Sequence, residues 1–252
     1  MSINSKVENR VASVELSRPE KKNALTARMY QQLAAALAAA DADPQVRAIL
    51  LHGSQECFTA GNDVGDFLSR PAGAEPPAVE LFKVLPNLAK PIVAAVGGPA
   101  VGIGSTMLLH CDLVYAATNA RFQLPFVPLG IVPEFASTYL LPLLAGYQRA
   151  AELLLLGQPF TAQKAHEIGM VCEVVPAEQL FSRAKEAVSM LAALPPESLR
   201  LTKRLLKKRH GAAIAEAIAE ETKIFSERLS SPEAREAMSA FLEKRKPDFS
   251  RF

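Results

Sequence analysis

Residues 11–16 place Ala12, Val14 and Leu16 on one face of an extended chain and Ser13 and Glu15 on the other, the period-2 pattern of a half-buried strand. Ser17-Arg18-Pro19-Glu20 ends it. Thr26 supplies an N-cap hydroxyl to a helix over 27–40 that carries Leu33 and Leu37 on one face, and Asp41-Ala42-Asp43-Pro44 stops it. Residues 48–51 are continuously apolar, as a strand buried on both faces is. His52-Gly53-Ser54 then turns the chain, and 57–59 reads as another short strand. A Pro/Gly-rich patch at 70–77 reads as a surface loop and 79–88 as a helix. Pro91 and Gly97-Gly98-Pro99 bracket a strand at 92–96. Gly102-Ile103-Gly104 opens a helix over 105–111, and a strand follows at 113–116.

From about 136 the pattern turns helical, punctuated by Gly157-Gln158-Pro159-Phe160 and Gly169, with a short strand at 171–175. After Pro195-Pro196 it reads as helix to near Arg245. Strands alternating with helices predict an α/β core with a largely parallel sheet. The shift near Pro195 divides a core over 1–195 from a helical region over 196–252.

Composition narrows the function. The 252 residues are 49% hydrophobic and 21% charged, which suits a folded chain with a sizeable core. Lysine and arginine number 28 against 26 acids, and there is no Trp, so neither a nucleic-acid surface nor a base-stacking platform is indicated. The expected partner is a small molecule whose charge is met locally. Residues 92–117, the longest apolar stretch, are interrupted by Pro99, several glycines, His110 and Asp112, so no membrane span is expected. The polar segment 1–10 has no signal-like apolar core. Cys57, Cys111 and Cys172 lack metal-ligand spacing and read as reduced thiols of a cytoplasmic protein.

Three segments carry candidate chemistry. Gly102-Ile103-Gly104 lies between a strand and a helix, where free amides can receive an oxygen gaining negative charge; a purely structural turn is the alternative. Gly61-Asn62-Asp63 can turn the Asn62 amide toward a cavity, or be an ordinary Asn/Asp turn. Glu134, within Leu129-Gly130-Ile131-Val132-Pro133-Glu134-Phe135, would become an acid/base near neutral pH if buried; a first-turn glutamate after Pro133 is the alternative. His110-Cys111-Asp112 is no triad, because adjacent side chains diverge. The basic run at 200–209 carries leucines at helical spacing and reads as a solvated face over an apolar one.

In order and spacing, these segments together resemble the crotonase, or enoyl-CoA hydratase/isomerase, superfamily over nearly the whole chain. The motifs are Ser17-Arg18-Pro19 with Asn23-Ala24-Leu25, Phe58-Thr59-Ala60-Gly61-Asn62-Asp63, and Lys90-Pro91-Ile92-Val93 leading to Gly98-Pro99-Ala100-Val101-Gly102. Cys111-Asp112-Leu113, Leu129-Gly130-Ile131-Val132-Pro133, Phe160-Thr161-Ala162, Gly169-Met170-Val171 and the segment from Phe241 to Phe249 continue them. The resemblance implies a spiral of repeated ββα units, a C-terminal helical trimerisation region and a homotrimer or dimer of trimers. It implies an acyl-CoA thioester as ligand and no metal or redox cofactor. The thioester oxygen would sit between the Asn62 and Ile103 N–H groups. Ala24, Ala60 and Asp63 would border the CoA, with Phe241 and Lys244 contacting its nucleotide end from a neighbouring subunit. Phe67, Thr106, Phe126 and Phe135 would line the acyl pocket.

The departures are as informative. The two glutamates of the family's hydratases would fall where this chain has Thr106 and Phe126, neither of which can act as a base. Glu134 instead stands where the family's 3-enoyl-CoA to 2-enoyl-CoA isomerases carry their single acid/base. The resemblance therefore implies a double-bond isomerase, with another crotonase reaction such as hydration, or non-catalytic acyl-CoA binding, as the alternatives.

Overall fold

The computed structural model describes residues 2–63, 65–66 and 76–252. Phe67 and residues 70–75 of the expected loop lie outside the described residues. The chain begins with a hairpin, β1 (Ser2–Glu8) against β2 (Val11–Ser17), closed by Asn9 and Arg10 with φ of 50° and 66°. Two consecutive positive φ values define the two-residue turn that matches strand twist. The polar segment 1–10 thus hides an edge strand that the hydrophobic pattern alone does not reveal.

Helix α1 (Ala27–Ala42) is capped by Thr26, whose hydroxyl accepts the Met29 N–H, and extends two residues beyond the expected end. Strands β3 (Ala48–His52), β4 (Ile92–Val96), β6 (Leu113–Ala117) and β9 (Glu173–Val175) add to β2, each parallel to its neighbour, in the order β1-β2-β3-β4-β6-β9. The continuous apolar runs have a direct cause in this sheet. Ile49, Leu51, Ile92, Ala94 and Val96 face the main core with α1. Ala48, Leu50, Val93 and Ala95 face a second core built on α7 (Leu180–Ala193). Both faces are covered, so alternation disappears.

A second sheet of three short strands was not legible: β5 (Pro99–Val101), β7 (Arg121–Gln123) and β8 (Phe160–Thr161), ordered β5-β7-β8. Residues 57–59 are not a strand. Thr59 alone forms a bridge to Ala100, because the Cys57 and Phe58 carbonyls are taken by the Asn23 amide. Two expected helices are shorter than the pattern suggests. α2 (Val79–Val84) tightens into a 3-10 turn at Leu85–Asn87, where Pro86 offers no N–H. α3 (Ile103–Thr106) runs into a 3-10 turn at Met107–His110.

The remaining helices are α4 (Ser137–Ala145), α5 (Tyr147–Leu156), α6 (Ala162–Glu167), α8 (Pro196–Lys208), α9 (Gly211–Leu229) and α10 (Pro232–Leu242). The helical region expected to near Arg245 consists of three helices, broken before Gly211 and at Ser231-Pro232. These C-terminal helices pack back on the core. Lys203 in α8 pairs with Asp112 at 2.6 Å, and Glu221 in α9 reaches the start of α4. No helix among the described residues is long and apolar enough to cross a membrane.

One polar knot ties β2 to the short second sheet. The Asn23 Oδ1 accepts the Arg18 N–H at 2.7 Å, and its Nδ2 donates to the Cys57 and Phe58 carbonyls. Asn23 is buried, so Asn23→Ala would take this partner from the Arg18 N–H and the Phe58 carbonyl, while the Cys57 carbonyl keeps the Ser54 N–H. A stability loss of about 1–3 kcal/mol is expected in denaturant titration.

Candidate active site

Two backbone turns are brought side by side by strand pairing. The Thr59 N–H donates to the Pro99 carbonyl and the Val101 N–H to the Thr59 carbonyl, so the segment 59–62 runs along β5. A Cβ on Gly61, whose φ is 90°, would come within 2.8 Å of the Val101 carbonyl oxygen; only glycine permits that approach. Gly102, at φ 56° and ψ −117°, then turns the chain into α3. The Leu25 bridge uses the Gly61 carbonyl and the Asp63 N–H and skips Asn62. Among the described residues, no carbonyl accepts the Asn62 or the Ile103 N–H. Two uncommitted donors on adjoining turns form a place for an oxygen that gains charge during a reaction. Tyr30, fully buried, donates its hydroxyl to the Asn62 Oδ1 at 2.5 Å and fixes that side chain away from the amide's task.

Ala24, Ala60 and Asp63 gather beside these turns. Buried Arg18 pairs with Asp63 at 2.6 Å and donates to the Ala24 carbonyl at 3.0 Å, while the Ala60 N–H donates to the Lys22 carbonyl. Partial burial pushes the Asp63 carboxyl up, but the N–H groups of Asp66 and Gly65 and the Arg18 guanidinium together hold it below its ordinary value. Phe241 and Lys244 are not part of this cluster. They lie in α10 and just past it, an element that packs on the 3-10 turn Val127–Leu129, and Phe241 is 61% exposed.

Glu134 lies three residues before the start of α4. It is 4% exposed, and its Oε1 is buried without a hydrogen-bond partner. Burial, with a smaller contribution from the negative charge of Glu221, pushes its pKa up to about 8. The first-turn alternative does not hold, since α4 begins at Ser137. Between them lie Phe135 and Ala136 at φ of 64° and 55°. Two successive left-handed residues with side chains cost about 1 kcal/mol each or more and need support from outside the turn. Support comes from both flanks. His110 Nε2 lies 2.8 Å from the Phe135 carbonyl, which can only accept, so Nε2 carries the proton. Deep burial lowers the His110 pKa to about 4 and keeps the ring neutral. On the other flank Glu221 accepts from the Ala136 N–H at 2.6 Å and the Thr138 N–H at 2.9 Å.

The acyl-pocket candidates among the described residues, Thr106, Phe126 and Phe135, are buried. Phe135 is fully buried, its ring stacked between Phe82 at 4.3 Å and His110 at 4.0 Å. Thr106 is fully buried near the Ile103 carbonyl, and Phe126 lies in the main core. A cleft of about 990 Å³ opens beyond Phe82 and His110, between α2, α8 and α9, and Leu140, Ile214 and Ile218 line it. His110, Cys111 and Asp112 diverge, toward the Phe135 carbonyl, the Met107 carbonyl and Lys203 respectively, as expected of neighbours. Sequence reasoning did not find the roles of Arg18, Tyr30, His110 and Glu221, all of which act across long stretches of chain.

The model for the family described as enoyl-CoA hydratase/isomerase matches residues 6–251. The 1,2-epoxyphenylacetyl-CoA isomerase of Escherichia coli K12 is 37% identical, the match covering 98% of this chain and 97% of that protein. Enoyl-CoA delta isomerase 2 of Rattus norvegicus is 36% identical over 95% of this chain and 63% of its own length. The crystal structure of an enoyl-CoA hydratase/isomerase from Pseudoalteromonas atlantica T6c superposes with a TM-score of 0.94 at 40% identity, covering 99% of this chain and 100% of that one. Two sheets wound with helices and closed by C-terminal helices, together with these matches, define an acyl-CoA enzyme of the crotonase fold. The chain belongs to the enoyl-CoA hydratase/isomerase family.

The buried carboxyl has a stability signature. Its pKa is raised in the folded chain, so stability is fully present below the unfolded value and is lost as pH rises through about 8. Glu134→Gln removes that loss. Its melting temperature should exceed that of the wild type by roughly 10 °C at pH 8, and the gain should shrink toward pH 5.

Proposed function

We propose that the protein shifts the double bond of a 3-enoyl-CoA to give the conjugated 2-enoyl-CoA. The observation that carries this reading is Glu134: a buried carboxyl with a pKa near 8 and an unpartnered oxygen, in a chain with Thr106 and Phe126 where hydratases would need glutamates. The Glu134 carboxylate takes a proton from C2, which the thioester acidifies. The C2–H electron pair moves into the C1–C2 bond, the carbonyl pair moves onto the oxygen, and the Asn62 and Ile103 N–H groups hold the resulting dienolate oxygen. Losing one such donor costs about 2.7–4 kcal/mol in comparable sites. Protonated Glu134 then delivers the proton to C4, the C2–C3 double bond forms and the carboxylate is regenerated. One base serves both carbons when the chain bends so that C2 and C4 share a face.

The buried Phe126, Phe135 and Thr106 keep water from competing for the dienolate. Ala24, Ala60 and Asp63 border the CoA. Exposed apolar side chains on α4, α5 and α8, among them Leu143, Tyr147, Leu155 and Leu206, support assembly into a homotrimer through the region that includes 196–252. In such an assembly Phe241 and Lys244 serve a neighbour's nucleotide end. The name of the rat relative is that of an isomerase, which agrees with this reading.

Glu134→Gln should lower kcat for a 3-enoyl-CoA by about 10²–10⁴-fold with little change in KM. Full activity in that variant would exclude the mechanism. In the wild type, kcat/KM should rise about tenfold per pH unit below pH 7 and level off above about 8, as the free carboxyl ionises.

A further inference from the structure

Glu221 lies in the middle of α9, 87 positions along the chain from Glu134, and is only 6% exposed. A buried carboxyl needs donors, and Glu221 has three: the Ala136 N–H, the Thr138 N–H and the Thr138 hydroxyl, the last at 2.5 Å from Oε1. All three belong to Ala136 and Thr138 at the start of α4, where the N-cap Ala136 has no side chain able to cap the helix. The residues they anchor are the ones that follow Glu134 through two left-handed positions. A turn of this kind relaxes when its outside supports are removed, and the carboxyl it presents moves with it.

We propose that Glu221 is a positioning residue for Glu134, holding the Phe135–Ala136 turn from the C-terminal helices and setting its negative charge against the catalytic carboxyl. This rests on the reading of Glu134 as the acid/base. The C-terminal region then takes part in the chemistry of its own subunit as well as in assembly.

The charge argument depends on what else faces the pair. From the 3-10 turn, His110 is neutral and bonded to the Phe135 carbonyl. From α8, Lys207 donates to the His110 carbonyl, on the opposite flank of the turn from Glu221. From α9 itself, Glu220 adds a second negative charge next to Glu221. From α4, Tyr139 is engaged with His210 at 3.0 Å. Burial raises Glu221's own proton affinity, while the three donors favour its ionised form. An ionised Glu221 disfavours a second negative charge at Glu134, so it raises the proton affinity of the acid/base.

Two variants separate these contributions. Glu221→Gln keeps an oxygen acceptor and removes the charge. Glu221→Ala removes both. The Glu134 midpoint is read without substrate, from the carboxyl stretch in infrared difference spectra taken against Glu134→Gln across pH. Turnover of a 3-enoyl-CoA is read separately. Glu221→Gln should lower the Glu134 midpoint by about half a pH unit to one unit and shift the acid limb of kcat/KM with it. Glu221→Ala should lower kcat about 10–100-fold at every pH with KM nearly unchanged, and Gln should recover part of the loss. An unmoved infrared midpoint in Glu221→Gln would overturn the proposal, as would wild-type kcat in folded Glu221→Ala with only its melting temperature reduced. If the alanine variant does not fold, the glutamine variant decides. A wild-type protein without isomerase activity would count against the reading of Glu134, while the infrared midpoint would still report on Glu221.

Discussion

The structure turns on a carboxyl buried in the core. Glu134 has one oxygen in the core without a partner, and the chain beyond it enters a left-handed turn that L-residues avoid. Neither feature survives alone. The turn is pinned by His110 on one side and Glu221 on the other, and these come from elements separated by more than a hundred residues. Much of the second half of the fold can be understood as the means of bringing those two supports to residues 134–138.

The other half prepares the two uncommitted amides of the proposed oxyanion site. Strand β5 is three residues long, yet it meets Thr59 on one side and β7 on the other. That places the turn at Gly61 against the turn at Gly102 and leaves two amides without protein acceptors. The Arg18–Asn23–Asp63 knot fixes the same segment to the main sheet. A rigid pair of donors and a high-affinity proton acceptor suit a reaction that makes and discharges an enolate without water. Both cost stability, and the doubly covered main sheet with its two cores supplies the reserve.

The elements legible in the sequence were those whose pattern is local. Alternation in β2, the Thr26 cap of α1 and the apolar runs of β3 and β4 each report an environment that their own residues define. The second sheet was not legible because strands of two or three residues show no period. β1 was hidden by its polar, edge position, although Asn9 is a residue that suits the turn closing it. Glu134 was visible as an acid in an apolar context, and the family resemblance lifted it above the helix-start alternative. Glu221 carried no such signal: it is one glutamate among several on an amphipathic helix, and its meaning lies in a bond to Ala136 across 85 residues.

Single-base transfer is tested most directly by the fate of the C2 hydrogen. A 3-enoyl-CoA deuterated at C2 should, in a single turnover in ordinary water, yield 2-enoyl-CoA with deuterium carried to C4, because the enclosed Glu134 carboxyl exchanges slowly with solvent. Product formed with only solvent hydrogen delivered to C4 would contradict transfer by one buried glutamate.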